Sequence, residues 1–431
     1  MNIEKLLYQN IVWRGLFYLL TFILNITIAR HFQAEVTGTL YYLINIFAFI
    51  TLFASISLES GLIFFASSKK ISHSGLFNFS LLWIGFIALI MVTLFFAISY
   101  FSEIKIKDTQ FVYALLFVCG NLLLSFLNSL FYADNNFKAP NVTGIIINTF
   151  LIILIFFINE NHWLTNEKYI FIYFAGYFIQ GIILVIIFMI NFKLKYDFRL
   201  PAMPEIKSVF RYCLLAFASN IVTFLYYRID YFFVHYYCSA EALGNYIQVS
   251  KLAQMFFVLP GILAAVVFPI TSGGRRQEMK DILKMISRSL LFLYAAVCFL
   301  LVISGKWLFP FVFGETFTIM YIPFLFLIPG ILGLSTLYTL TAYYAGKNRI
   351  IVNLKGALLT LLIIVTGDIV FIPEYGINAA AMVSSVGYIA YHAYVLSVFS
   401  KEYNTPVIDF FIFKFSDIST IKRSILKKGN P

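Results

Sequence analysis

Among the ionisable side chains inside long apolar stretches of this chain, the candidates for chemistry are Arg14, Glu59, Arg228, Asp230, Lys251 and Asp368. An ionisable group in hydrocarbon costs at least a few kcal/mol, so it faces a bundle interior or a watery cavity. Two or three cations facing one cavity suit an anionic ligand such as a phosphate or diphosphate, Arg supplying planar donors and Lys a point charge. Carboxylates in the same setting suit a coupling proton or a bound cation, and Glu59, Asp230 and Asp368 are the candidates. Asp368 also falls near the end of an apolar segment, where it could simply reach water. Arg228 and Asp230 stand about 160° apart around a helix, so both cannot point at one narrow cavity. Which of them faces it stays open, as does a pairing of Asp230 with Lys251.

Polar uncharged residues extend these positions into stripes. Arg14, Tyr18, Thr21 and Asn25 share a narrow helical arc, and so do Asn220, Thr223, Tyr227 and Tyr231. Arg14, Thr21 and Asn25 each fall 206 residues before a member of the second stripe, Asn220, Tyr227 and Tyr231. Such stripes line a hydrophilic cavity, or they hydrogen-bond neighbouring helices. No nucleotide-binding loop or His-Glu-x-x-His metal motif occurs, which argues against an enzyme. Cys119, Cys213, Cys238 and Cys298 include no Cys-x-x-Cys pair, and neither a metal site nor a disulfide framework is expected.

The elements that must carry these groups are membrane spans. Of 431 residues, 61% are hydrophobic and only 12% charged, and mean hydropathy is +0.88. One soluble core could not hide that apolar surface, whereas stretches of about twenty residues cross a bilayer. Twelve such segments fall near 11–30, 37–65, 76–101, 111–133, 142–159, 169–192, 207–234, 242–270, 287–304, 318–345, 351–372 and 377–399. The formal net charge of +11 does not imply nucleic acid, because Lys and Arg cluster in alternate short loops. Basic loops stay cytoplasmic, which places both termini inside.

Internal echoes divide the chain. Ala34-Glu-Val-Thr-Gly38 and Ala240-Glu-Ala-Leu-Gly244 precede the second and eighth spans at an offset of 206 residues. Tyr132 and Asn141-Val-Thr-Gly144 recur as Tyr344 and Asn353-Leu-Lys-Gly356 at an offset of 212. Six spans separate equivalent points, so the expected fold is all-α, with two six-helix lobes of the same orientation, 1–200 and 201–400, and a cytoplasmic tail, 401–431.

Ile28-Ala-Arg30, Glu35-Val-Thr-Gly38, Tyr227-Arg-Ile-Asp230, Ala240-Glu-Ala-Leu-Gly-Asn-Tyr246, Phe268-Pro269, Gly314-Glu-Thr-Phe317 and Ile372-Pro-Glu-Tyr-Gly-Ile-Asn-Ala-Ala380 occur in this order. In these pieces the chain resembles oligosaccharide flippases of the polysaccharide-transport branch of the multidrug/oligosaccharidyl-lipid/polysaccharide exporter superfamily. The resemblance implies a MATE-like fold, alternating access, and transfer of an undecaprenyl-diphosphate-linked oligosaccharide to the outer leaflet of a bacterial inner membrane for surface polysaccharide or O-antigen synthesis. It implies no cofactor, but coupling to an H+ or Na+ gradient or to membrane potential. Its expected partners are the lipid-linked substrate, membrane lipids, a polysaccharide polymerase and glycosyltransferases. Arg14, Arg228 and Lys251 are the positions that could meet a diphosphate, with Tyr18, Asn25, Asn220 and Tyr227 beside them. A cation-coupled multidrug or metabolite exporter, or a non-transporting scaffold of envelope polysaccharide assembly, are the alternatives.

Overall fold

The computed structural model describes residues 3–101, 107–134, 136–158, 164–191, 199–272, 276–412 and 414. Loop charges at Lys105, Lys193, Lys195 and Arg275, and the tail beyond Lys414, lie outside them. Twelve α-helices follow in order: α1 (Ile3–Ser55), α2 (Leu58–Ser67), α3 (His73–Phe101), α4 (Asp108–Ala133), α5 (Lys138–Ile158), α6 (Asn166–Asn191), α7 (Met203–Tyr237), α8 (Ala240–Met255), α9 (Val258–Ser272), α10 (Arg276–Phe313), α11 (Tyr321–Gly346) and α12 (Ile350–Tyr403).

Among the described residues, ten helical segments are long and apolar enough to cross a membrane, two of them 44 and 54 residues long. At 1.5 Å per residue each of those two reaches twice the hydrocarbon thickness of about 30 Å. Each is broken near its middle. Gln33 adopts φ 60° and ψ 178° within α1, and Gly376 adopts φ 58° and ψ −140° within α12. The breaks fall where the sequence places loops between its first two and last two spans, which supplies the expected twelve crossings.

Two spans read as continuous are interrupted. The second divides into the end of α1 and α2 across Ile56 (φ 47°) and Ser57 (φ 55°). Positive φ at a β-branched residue is strained, and neither Gly nor Pro announces it. The eighth divides into α8 and α9 across Phe256 and Phe257. In oil the groups freed by a break need partners. Around Ser57 they have them. Its N–H donates to Ser55 Oγ at 3.0 Å, its carbonyl accepts from Ser60 N–H at 3.0 Å, and Trp83 Nε1 donates to Ala54 O at 2.8 Å.

The chain forms two compact units, Met1–His31 with Tyr42–Ile221, and Phe32–Tyr41 with Val222–Pro431. In the first unit, α4 packs against α6, α2 and α3. Leu62, Leu76, Val118, Leu122, Phe126, Leu130, Leu184 and Phe188 form its dry core. In the second unit, α11 packs against α12, α9 and α10. There Ser385 Oγ donates to Phe326 O at 2.5 Å and accepts from Gly330 N–H at 3.2 Å. It inserts between that N–H and that carbonyl, one residue past Pro329, which has no N–H to donate.

The Phe32–Tyr41 segment of α1 belongs to the second unit because the two copies of the repeated motif pack on each other there. A Cβ on Gly38 would lie 2.6 Å from Ala240 O, and a Cβ on Gly244 would collide with the Ala34 carbonyl. The first residue of each copy thus meets the glycine of the other. Reciprocal contact of this kind is what a local two-fold axis generates. Glycine permits it by letting the backbones close to a distance that no side chain would allow.

Candidate functional site

A polar chamber of about 270 Å³ lies inside the first unit. The first half of α1 supplies Phe17, Thr21 and Asn25, and α4 supplies Asn121, Ser125, Asn128 and Tyr132. From α5 come Asn141 and Asn148, and from α6 Tyr173, Tyr177 and Gln180. The spacings on α1 and α4 are those of one helix face. Most of the amides are held in place. Asn25, Asn121 and Asn141 each donate to the carbonyl four residues earlier, at 2.9, 3.0 and 2.7 Å. Asn148 donates to Thr21 Oγ1 at 2.9 Å, and that hydroxyl donates to Phe17 O at 2.8 Å. Asn128 Oδ1 is buried without a partner. The described walls hold no Asp, Glu, Lys, Arg or His.

Three sequence candidates meet this chamber differently. Asn25 is part of its wall. Arg14 stands at one end, its guanidinium carbon 5.8 Å from the centre of the Tyr132 ring. Tyr18 packs against Phe17, ring centres 5.8 Å apart, but is not on the wall.

Elsewhere in the first unit, Asn220 donates to Ser57 Oγ at 2.9 Å and so braces the break before α2. Glu59 sits in the first turn of α2, accepts a hydrogen bond from Ser55, and keeps Oε2 buried without a partner. A carboxylate near a helix N-terminus is favoured by the helix dipole.

In the second unit Asp230 is 2% exposed. It accepts from its neighbour Tyr231 N–H at 2.9 Å, from the Tyr246 hydroxyl through a short contact, and from Ser384 Oγ at 3.3 Å. Lys251 is not among these partners; its ammonium lies over the Tyr41 ring, 2.8 Å from the centre. Arg228 lies over Phe224 at 5.7 Å, close enough to Lys251 for the two cations to repel. A small cavity of about 20 Å³ opens beside Asp230, walled also by Tyr227, Tyr246, Ser250, Gln254 and Ser384. That is room for one water or one ion. Asp230, not Arg228, lines it. Tyr227 meets Tyr338 hydroxyl to hydroxyl at 3.0 Å.

Asp368 does not reach water. It is 0% exposed, both oxygens lack a partner, and it is near enough to Asp230 for the two carboxylates to repel. Buried carboxylates that repel one another favour a proton or a cation nearby. The oxygen donors around Asp230 fit a hard cation.

The amides of α4, α5 and α6 are not anticipated from the sequence, where the ionisable groups and the two polar stripes on the first and seventh spans stand out. The available signal is Asn and Gln recurring inside apolar spans, each costly in lipid unless it faces a partner or a cavity.

The protein's fold recurs in solved structures. Its fold is shared with a structure titled Lipid II flippase MurJ, inward closed conformation, at TM-score 0.71 and 18% identity, covering 97% of this chain and 96% of that one. It is shared with the MATE transporter VcmN of Vibrio cholerae in the bent form, at TM-score 0.62 and 14% identity, covering 95% and 98%. The MATE transporter ClbM in complex with Rb+ aligns at TM-score 0.55 and 13% identity, covering 91% and 94%. No curated protein matches the chain. The fold is therefore that of all-α, multi-spanning membrane transporters. The family model described as polysaccharide biosynthesis protein matches residues 7–274, more than half of the sequence, and the chain belongs to that family.

Proposed function

We propose that this protein moves a polyprenyl-diphosphate-linked oligosaccharide from the cytoplasmic to the outer leaflet of a bacterial inner membrane by alternating access, without making or breaking a covalent bond. The supporting observation is the pairing of chemistries in the first unit: an uncharged amide and phenol chamber with the Arg14 guanidinium at its end. A glycosyl diphosphate carries those two chemistries joined together. Membership of the polysaccharide biosynthesis family supports the same reading, as does the fold shared with a lipid II flippase. Arg14, Arg228 and Lys251 take the diphosphate as the two lobes, 1–200 and 201–400, expose it to each side in turn, and the polyprenyl tail stays in lipid. The termini are cytoplasmic, and a polymerase and glycosyltransferases act before and after the transfer.

Asp230 and Asp368 are the coupling pair. Proton or cation occupancy beside them relieves their repulsion and biases one state of the cycle. Glu59 at the break before α2 is a third acidic group on the path. A cationic drug is a poorer fit, because the chamber wall offers no carboxylate to receive it and Arg14 stands at its end.

The experiment is headgroup inversion in proteoliposomes loaded with the lipid-linked intermediate that accumulates in cells lacking the protein. Wild-type protein inverts it, and replacing Arg14, Arg228 and Lys251 together by Gln cripples the process. Unchanged inversion by the triple variant discards the cationic assignment.

A further inference from the structure

The chamber in the first unit has a composition unlike either charged region of the molecule. Asn121, Asn128, Asn148, Gln180, Tyr132 and Tyr177 define it. Amides and phenols are the side chains that exchange hydrogen bonds with neutral hydroxyls, and the phenol rings give an apolar ring face something to lie on. The absence of a carboxylate from the described walls disfavours a bare cation. The orphan oxygen of Asn128 is a buried acceptor awaiting a donor, and leaving such a group unmade costs about 1–3 kcal/mol. A volume of about 270 Å³ is just below the ~300–1,000 Å³ of ordinary small-molecule sites, which suits one sugar ring and not a chain of them.

One end of the chamber is cationic. Arg14 lies against Tyr132, and Lys138, at the start of α5, lies over Trp13 with its ammonium 5.7 Å from the ring. In a glycosyl diphosphate the first sugar is bonded directly to phosphate, so cationic mouth and neutral interior follow the order of the ligand itself.

We propose that this chamber is the subsite for the first sugar ring of the substrate, a neutral pyranose held by Asn128, Gln180 and their neighbours with its diphosphate at Arg14. The inference rests on the function proposed above and adds that the first sugar is read inside the N-terminal unit. Selectivity for the glycan then resides in α4, α5 and α6, apart from the acidic pair of the second unit.

The test uses the full-length protein in detergent and two probes made from one source. The first is the intact lipid-linked intermediate from cells lacking the protein. The second is the prenyl diphosphate left when mild acid hydrolyses its anomeric carbon–oxygen bond, water adding to the released glycan. Wild-type protein binds the intact probe about tenfold more tightly, the worth of one or two neutral hydrogen bonds. Asn128→Leu, and separately Gln180→Leu, remove that preference while still binding the sugar-free diphosphate, which also shows that each variant is folded. No preference in the wild type, or a preference intact in both variants, overturns the subsite. Inversion of the lipid-linked intermediate in proteoliposomes is scored in parallel. A sugar preference without inversion supports the subsite and overturns the transport reading, whereas inversion without a sugar preference does the reverse.

Discussion

Replacing Asp368 by Asn should stabilise the protein when no coupling cation is present. Both carboxylate oxygens are sealed from solvent and lack hydrogen-bond donors, and the Asp230 carboxylate is near enough to repel them. A buried carboxylate of this kind costs several kcal/mol. An amide of the same shape removes the charge but leaves polar atoms to satisfy, a residual cost of about 1–3 kcal/mol. The net gain should be about 1–3 kcal/mol. A cation that binds only the folded wild type returns RT ln(1 + [L]/Kd), about 1.4 kcal/mol at ten times its Kd. The difference between wild type and variant should therefore shrink as that cation is added. The measurement is thermal unfolding of the purified full-length protein, with choline chloride exchanged for sodium chloride at constant ionic strength. Destabilisation of Asp368→Asn by about 3–5 kcal/mol in choline, the cost of breaking a satisfied buried ion pair, would refute the reasoning.

Other expectations follow from specific contacts. Gly244→Ala should cost about 1–3 kcal/mol in thermal unfolding, since its Cβ would strike the Ala34 backbone and no side chain can yield. Gly85→Ala on α3, where nothing lies within 4 Å, should be neutral or gain up to about 1 kcal/mol from helix propensity. Glu402 contacts both Lys347 and Arg349, the latter at 2.9 Å. Glu402→Gln should cost about 1–2 kcal/mol, between the values for exposed and buried pairs. The loss should shrink as salt is raised, because the site is only half-buried.

The length of each apolar run was enough to place twelve crossings, because that property is written locally. The break at Ile56 and Ser57 was not. It depends on Asn220, Trp83 and Ser55, two of them on other helices, and no Gly or Pro marks it. Asp230 illustrates the same limit. Depth along the helix brings Lys251 into consideration, but depth does not specify rotation or neighbour. The partners are Tyr246, across a hairpin, and Ser384, 154 residues away. Asp368 reads as a residue near a span end, and its burial comes from the packing of α12 within the second unit.

The repeated glycine motif was legible as an echo, yet its use was not. An echo argues that two segments share an ancestor or a geometry; it does not say that they touch. The contact of Gly38 with Ala240 and of Gly244 with Ala34 adds a mechanical reason for keeping the motif twice. A side chain at either glycine would hold the backbones apart, so each copy constrains the other. By contrast, the two polar stripes at the same offset have diverged in use. Asn25 lines a chamber, while Asn220 braces a helix break and Tyr227 meets another tyrosine beside the acidic pair. On the proposed reading, a shared scaffold with unlike linings lets one unit read a sugar while the other responds to an ion. Coupling the two then requires only that ion occupancy and ligand occupancy favour different states of one two-state cycle.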